Sequence, residues 1–346
     1  MSFMRLKGLA AVGAVLGLAG AVLANAASQP PKAAAKPAKK SYLIGLVAKS
    51  NSNPVFLAAR TGAEDAAKEL GAKMGVTIKI DWRTPVSEDG QKQAEFIEQL
   101  VAAGADGIAV SASDAKLLKT AIDSATAKGV AVSTFDSDVP DSKRFAYYGT
   151  DDFACGQRVA SELAKAMGNK GVVAILAGNQ NAPNLQSRVR GVRDEIEKNH
   201  KDIKVLDTYY HAETPQDAVA KVEQVMAANP QISGWAMIGG WPLFTENAMD
   251  KVKGRAKVVA VDALPAQLNY VKKGEVEMLL GQKVYEWGWE SVTLIMNKLT
   301  KGESPKDPII KAELVAVTKA NAEEYGKNWD KWLGKAAGST PATPAK

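Results

Sequence analysis

Tyr42-Leu43-Ile44-Gly45-Leu46-Val47 runs into Ser50-Asn51-Ser52-Asn53-Pro54-Val55-Phe56, and the way these two segments join decides the fold. The first is a short, almost wholly apolar run, the pattern of a parallel strand covered on both faces. After the second, Phe56, Ala59, Ala63, Ala66, Ala67 and Leu70 recur at three- and four-residue steps, which marks an amphipathic helix with small residues on its core stripe. Pro54 suits the first turn of that helix, and Asn53 before it is a natural cap. A polar turn therefore sits at the carboxyl end of a buried strand, where open α/β sheets bind their ligands. The turn is expected to line a ligand cleft.

The same alternation continues along the chain. Strands are expected at 76–82, 107–110, 130–135, 146–149, 172–176, 204–209, 234–238, 258–261 and 277–282. Helices are expected at 88–103, 115–127, 153–167, 185–197, 215–228, 244–251, 266–272 and 285–299. This regularity argues for parallel sheets with helices on both faces. A faint internal repeat divides it into two lobes. Leu43–Val47 and Gly62-Ala63-Glu64-Asp65 have counterparts 129 positions later in Val172–Leu176 and Gly191-Val192-Arg193-Asp194. Glu98-Gln99-Leu100-Val101-Ala102-Ala103 returns as Glu223-Gln224-Val225-Met226-Ala227-Ala228.

At 346 residues the chain is long enough for two globular domains. Its net charge of +6 resides at the ends. Arg5, Lys7, Lys32, Lys36, Lys39, Lys40, Lys335 and Lys346 supply eight positive charges without an offsetting acid, which leaves −2 on the remainder. A nucleic-acid-binding face is not supported. Residues 1–26 read as a secretory signal, with Arg5 and Lys7 ahead of an apolar run from Leu9 to Leu23 and Ala24-Asn25-Ala26 as the cleavage pattern. Cleavage after Ala26 is expected, with a retained anchor as the alternative. Residues 27–40 and 335–346 read as a disordered linker and tail. The single cysteine, Cys155, excludes both an internal disulfide and a lipid-modified N-terminal cysteine. Export to a bacterial periplasm fits best.

Polar residues at the expected strand ends are drawn from the whole chain: Asn51 and Asn53, Ser111 and Asp114, Asp136 and Asp138, Asn179 and Asn181, Glu213, Asp262 and Gln282, with Arg188 and Arg190 nearby. Acids, amides and an arginine, beside Phe56, Phe135, Trp235 and Trp241, suit a polyhydroxylated ligand. Taken singly, each Asp or Asn is more often a turn former or helix cap. Catalytic readings fare poorly. His200 and His211 lack metal-site spacing, so no metal is expected, and Cys155 reads as a small core residue rather than a nucleophile. No Gly-rich phosphate loop follows the first strand, and no cofactor is implied. Asp136 with Asp138 has no accompanying nucleophile, so no enzyme is inferred. Trp287 and Trp289 cannot share a helix face, which places at least one in the core.

These residues carry a resemblance. Asn53-Pro54-Val55-Phe56 after the first strand, Phe135-Asp136, Arg188-Val189-Arg190-Gly191, Val261-Asp262 and Gly281-Gln282 follow in the order seen in periplasmic sugar-binding proteins of ABC transporters. Over residues 41–320 the chain resembles the branch of ribose-binding protein. The resemblance implies a type I periplasmic binding protein: two doubly wound parallel-sheet α/β lobes with a ligand cleft between them. It implies an N-terminal lobe of 41–150 plus 284–311 and a C-terminal lobe of 151–283 plus 312–334. Crossovers are expected near Gly149-Thr150, Gln282-Lys283 and Ile309–Lys311. It further implies that Asn53, Phe56 and Asp136 contact the ligand from the first lobe, Arg188 and Asp262 from the second, and Gln282 from a crossover. Ser137 stands where ribose binders have an arginine, Glu213 falls near an aromatic position, and Gly239-Gly240-Trp241 replaces an Asn-Asp pair, which gives the stacking face to Trp241. The implied partners are a small-molecule sugar and an inner-membrane ABC permease, with the protein acting as a monomer. An exported sugar sensor or chemoreceptor ligand-binding protein is the alternative.

Overall fold

The structure is a computed structural model and describes residues 39–334. The expected signal segment, most of the linker and the tail lie outside the described residues.

Two six-stranded sheets form the frame. The first holds β1 (Ser41–Val47), β2 (Thr77–Trp82), β3 (Gly107–Val110), β4 (Ala131–Phe135) and β5 (Ala146–Thr150), joined late in the chain by β11 (Ile309–Ala312). The second holds β6 (Gly171–Ala177), β7 (Ile203–Tyr210), β8 (Gly234–Met237), β9 (Lys257–Val261) and β10 (Met278–Gly281), joined by β12 (Val315–Val317). Their orders are β2-β1-β3-β4-β5-β11 and β7-β6-β8-β9-β10-β12, the same arrangement twice. All pairings are parallel except β10 with β12. In each sheet the strand order reverses beside the first strand, which opens a crevice at the carboxyl ends of β1 and β3 and of β6 and β8.

The helices are α1 (Pro54–Met74), α2 (Gly90–Ala102), α3 (Ala115–Ala127), α4 (Asp152–Ala166), α5 (Pro183–Asn199), α6 (Pro215–Ala228), α7 (Pro265–Lys273), α8 (Val284–Lys301), α9 (Ala322–Gly326) and α10 (Asn328–Trp332). Asn53 caps α1 as expected, its Oδ1 accepting from the Val55 N–H at 3.2 Å. Five helices carry proline in the first turn, where a missing N–H costs nothing. That count includes a short 3-10 helix at Trp241–Phe244.

The internal repeat has a packing cause. Gly62 and Gly191 both lie where two helices meet backbone to backbone. A Cβ on Gly62 of α1 would stand 2.0 Å from the Tyr285 carbonyl oxygen of α8, and one on Gly288 would stand 1.8 Å from that of Ala59. In the second lobe Gly191 of α5 faces the Phe153 oxygen of α4 at 2.1 Å, and Gly156 faces that of Arg188 at 2.0 Å. No side chain fits at any of the four.

One expectation needs correction. The helix expected at 244–251 does not form: the chain leaves the 3-10 helix at Phe244 and continues in turns, and Asn247 adopts the left-handed region with φ 62°, which breaks a right-handed helix. The third passage between sheets, expected near Ile309–Lys311, follows Ala312, because β11 runs alongside β5 as far as the Ala312 and Thr150 pair. The strands β11 and β12 were not anticipated. They have 4 and 3 residues, too short to show a period of two against their surroundings.

Candidate functional site

The carboxyl ends of β1 and β3 are fixed by one buried side chain. Gln93 of α2 donates to the carbonyls of Ala48 (2.8 Å) and Ser111 (2.7 Å) and accepts from the Ser113 N–H (2.9 Å), so both its N–H donors and its oxygen hold two strand ends together. Beside it Asp136 follows β4 with φ 55°, a left-handed backbone that costs a non-glycine residue about 1–2 kcal/mol. The conformation turns its carboxylate inward. Ser111 Oγ donates to Oδ2 at 2.7 Å, and Asn184 Nδ2 donates to Oδ1 at 3.2 Å.

Asn184 belongs to α5 and reaches across from the other sheet. Its Oδ1 accepts from Lys49 Nζ at 3.3 Å, and that ammonium lies 4.0 Å from Asp136. Lys49 is buried. Burial alone would pull its pKa down; Glu88, Asp136 and Glu213 more than offset this and hold it above the usual lysine value.

The second sheet presents Arg188, also buried, with all three guanidinium nitrogens engaged. Nε donates to Asp152 at 2.8 Å, Nη1 to the Ile238 carbonyl at 3.1 Å, and Nη2 to Gln282 Oε1 at 2.8 Å. Gln282 also accepts from Thr150 Oγ1 (2.8 Å) and donates to Asp262 (2.7 Å). Thr150 and Gln282 lie on two chain segments that pass between the sheets, so one network joins both passages to Arg188. Asp262, with φ 75°, is a second strand-end acid in the left-handed region, and Glu213 with φ 60° is a third. Burial pushes Asp152 up to about 6 and raises Asp262 against the pull of Arg188.

Open volume lies to one side of this polar centre. A cavity of about 290 Å³ is bounded by the Ser50–Pro54 turn and Glu88 from the first lobe and by Glu213, Trp241 and Phe244 from the second. A second, of about 660 Å³, shares Glu88 and Glu213 and extends along Gly178–Asn181 and Tyr210–Ala212. His211 packs edge-on against Trp241 with ring centroids 4.8 Å apart.

The model of a periplasmic binding protein domain matches residues 44–304, three quarters of the chain. The chain belongs to this family. Among similar proteins, the D-ribose/D-allose-binding protein of Pseudomonas aeruginosa is 25% identical over 290 residues, covering 80% of this chain and 88% of that protein. The ribose import binding protein of Bacillus subtilis is 31% identical over 153 residues, 44% of this chain and 48% of its own length. A solute-binding protein from Burkholderia graminis, solved in complex with D-arabinose, has 28% identity and a TM-score of 0.76 over 84% of this chain and all of that one. The family and the two-lobed α/β fold are those read from the sequence.

Within this periplasmic binding protein domain the expected site residues fall into three groups. Asp136, Arg188, Asp262 and Gln282 enter the polar centre directly or through one partner. Asn53, Glu213 and Trp241 line the adjoining cavity. Phe56 is buried and packs on Trp287, ring centroids 6.2 Å apart, with Phe135 on the same indole at 6.3 Å. Trp287 is thus core, as at least one of the tryptophan pair had to be. Asp114 caps α3, Asp138 pairs with Arg144 and Arg190 is exposed, so these follow the ordinary roles of strand-end polar residues, whereas Asn181 lines the larger cavity. Cys155 is buried in α4, its thiol pushed up to about 12 by burial.

Four residues of the centre were missed from sequence. Lys49 stands at the end of a buried strand, where a lysine needs a partner, and that was a legible signal. Glu88 reads as the start of α2, Asn184 as a first-turn residue of α5, and Asp152 as an acid at the start of α4. Only the folded arrangement brings them together.

Proposed function

We propose that this protein is an exported solute-binding protein that captures a sugar or related polyol between its lobes and delivers it to an ABC permease in the membrane. The observation that carries the reading is the convergence of polar groups from both lobes, the strand-end residues Asp136 and Lys49 from one and Arg188 and Asn184 of α5 from the other, beside a cavity with an indole wall. Carboxylates and amides take paired hydrogen bonds from vicinal hydroxyls, and Trp241 offers a face for the C–H surface of a ring. Asn53, Glu213 and Trp241 would touch the ligand, with Asp136, Asp262, Gln282 and Arg188 as the polar floor and Phe56 as its apolar support. A ligand bound by both lobes favours the closed arrangement by its differential affinity for the two states, and closure presents a composite surface to a permease.

Calorimetry of the mature protein against a monosaccharide and polyol panel tests this. At least one member is expected to bind, and Asp136→Asn, which tolerates the left-handed backbone, is expected to weaken it about 10- to 100-fold, the loss of one charge-assisted hydrogen bond. Unchanged affinity in that variant removes Asp136 from the site. No binding across the panel removes the function.

A further inference from the structure

Two neighbouring glycines and a buried glutamine build the apolar wall of the cavity. Gly239 and Gly240 follow β8 and lead into Trp241, the first residue of the 3-10 helix. Neither position has room for a side chain. A Cβ on Gly239 would overlap the six-membered ring of Trp241, and one on Gly240 would overlap the Gln267 amide nitrogen and stand 2.8 Å from the Val261 carbonyl oxygen. Glycine is the loosest backbone a chain can carry, so this turn does not hold its own shape. It is held from outside. Arg188 Nη1 donates to the Ile238 carbonyl at 3.1 Å, just before the pair, and Gln267 Nε2 donates to the Gly240 carbonyl at 2.9 Å, just ahead of Trp241. Gln267 is fully buried in the first turn of α7, and its Oε1 accepts the Leu264 N–H at 2.7 Å. That second bond is the ordinary cap made by a glutamine at this helix position. The bond to Gly240 goes beyond a cap: it ties the end of β8 to the chain leaving β9, two residues after Asp262. Gln93 does the same for β1 and β3 in the first lobe.

We propose that Gln267 is a positioning residue for ligand recognition: through Gly240 it sets where the indole of Trp241 stands, and so how closely that wall meets the C–H surface of a captured sugar or polyol. The inference rests on the capture proposed above and adds to it a residue that does not itself touch the ligand. The cavity is bounded by polar side chains of Ser50, Ser52, Asn53 and Glu88 on one side and by Trp241 and Phe244 on the other. Polar side chains follow a displaced hydroxyl by rotating, whereas an indole packed on a two-glycine turn is placed by its backbone. Contact between a ring and a C–H surface is short-ranged, and a gap of about 0.5–1 Å forfeits a quarter to a half of the attraction. Without the Gln267 bond, the turn keeps the Arg188 bond at Ile238 and the Leu243 N–H that the Gly240 carbonyl accepts at 3.1 Å within the 3-10 helix. Neither ties Gly240 to the neighbouring strand end.

The test uses the mature protein labelled with 5-fluorotryptophan. It has seven tryptophans, and the fluorine line lost in Trp241→Phe is that of Trp241. Gln267→Met is expected to shift or broaden the Trp241 line while those of Trp82, Trp287 and Trp289, on β2 and α8, stay in place. The same variant is expected to weaken the tightest-binding of D-ribose, D-xylose, D-glucose, D-galactose and D-sorbitol about 3- to 10-fold in calorimetry, the worth of one aromatic contact. A glutamine that served only as a helix cap would lower the melting temperature and leave the Trp241 line where it is. If the methionine variant fails to fold, Gln267→Glu replaces it: glutamate makes the same cap, and its ionised carboxylate cannot donate to Gly240. In that variant the Trp241 line is expected to move between about pH 5 and 9 as the carboxyl ionises, and a static line counts against the inference. A Trp241 line unmoved in a folded variant, or one that moves while the affinity does not change, overturns the inference and leaves sugar capture standing. If none of the five binds the parent protein, the capture reading falls, and this one with it.

Discussion

The two lobes meet their helices in the same way and then diverge at the cleft. Gly62 with Gly288 in one lobe and Gly156 with Gly191 in the other give the same backbone contact, each glycine facing the carbonyl three residues before its counterpart. Tyr285, Trp287 and Gly288 stand to α1 as Phe153, Cys155 and Gly156 stand to α5. In this frame Ala59 corresponds to Arg188, and Trp287 to Cys155. The first lobe pairs a small residue on one helix with an indole on the other, and fills the space beneath the cleft with Phe56, Phe135 and Trp287. The second reverses the sizes: a thiol on α4 leaves room for a guanidinium from α5. One scaffold thus supplies an apolar floor on one side and a buried cation on the other. The difference lies in two positions rather than in the fold.

The largest break in that comparison comes from Arg188→Met. The variant removes the partner of Asp152 and the positive charge that acts on Asp262 while leaving both acids buried, and the expected loss of stability is about 3–5 kcal/mol in denaturant unfolding. A loss below about 1 kcal/mol would mean that water reaches the acids and that the guanidinium is not the keystone. Next come the glycines. Gly288→Ala and Gly191→Ala each force a helix pair apart and should cost about 1–3 kcal/mol. The two costs should agree within about 1 kcal/mol if the lobes share one contact. A marked inequality would show that one interface yields more easily. Cys155→Leu then probes the size reversal. It crowds the guanidinium and should weaken ligand binding as well as stability, whereas Cys155→Ser should do neither beyond about 1–2 kcal/mol.

These expectations also show which parts of the molecule a sequence reveals. The first ten strands were legible because parallel strands covered on both faces are continuous apolar runs, and Pro54 and Asn53 mark the start of a helix by backbone chemistry alone. Gly62 and Gly191 were legible as a repeat but not as a contact, since a glycine in a helix has many causes. Asp136, Asp262 and Gln282 could be picked out as polar ends of apolar runs. Lys49 was legible as a lysine at a buried strand end in need of a partner, but that partner lies 135 positions away in Asn184, and Asp152 and Asn184 could not be told from ordinary caps and surface charges. Phe56 illustrates the same limit: the resemblance implies it at the ligand, while its ring contact with Trp287, 231 positions away, is visible only in the fold.

The smallest effect concerns pH and separates the two kinds of buried acid. Glu88, Asp152 and Asp262 all have folded-state pKa values raised above those of the unfolded chain, chiefly by burial. A raised acid holds its proton longer in the folded state, so the stability it contributes is complete below the unfolded value and is lost as pH rises through the folded one. For Asp152 that window runs from 3.8 to about 6. For Glu88 it begins at 4.5 and extends well above. Glu88→Gln keeps the shape and removes the titration, so the difference in stability between variant and parent should grow in favour of the variant as pH rises, reaching about 1 kcal/mol near pH 8. The Asp152 window, set by a paired acid, should remain in both proteins. If the two stability curves run parallel from pH 5 to 8, the Glu88 carboxyl is already ionised and solvated. The contrast between Asp152, paired with Arg188, and Glu88, crowded by a second acid, would then disappear.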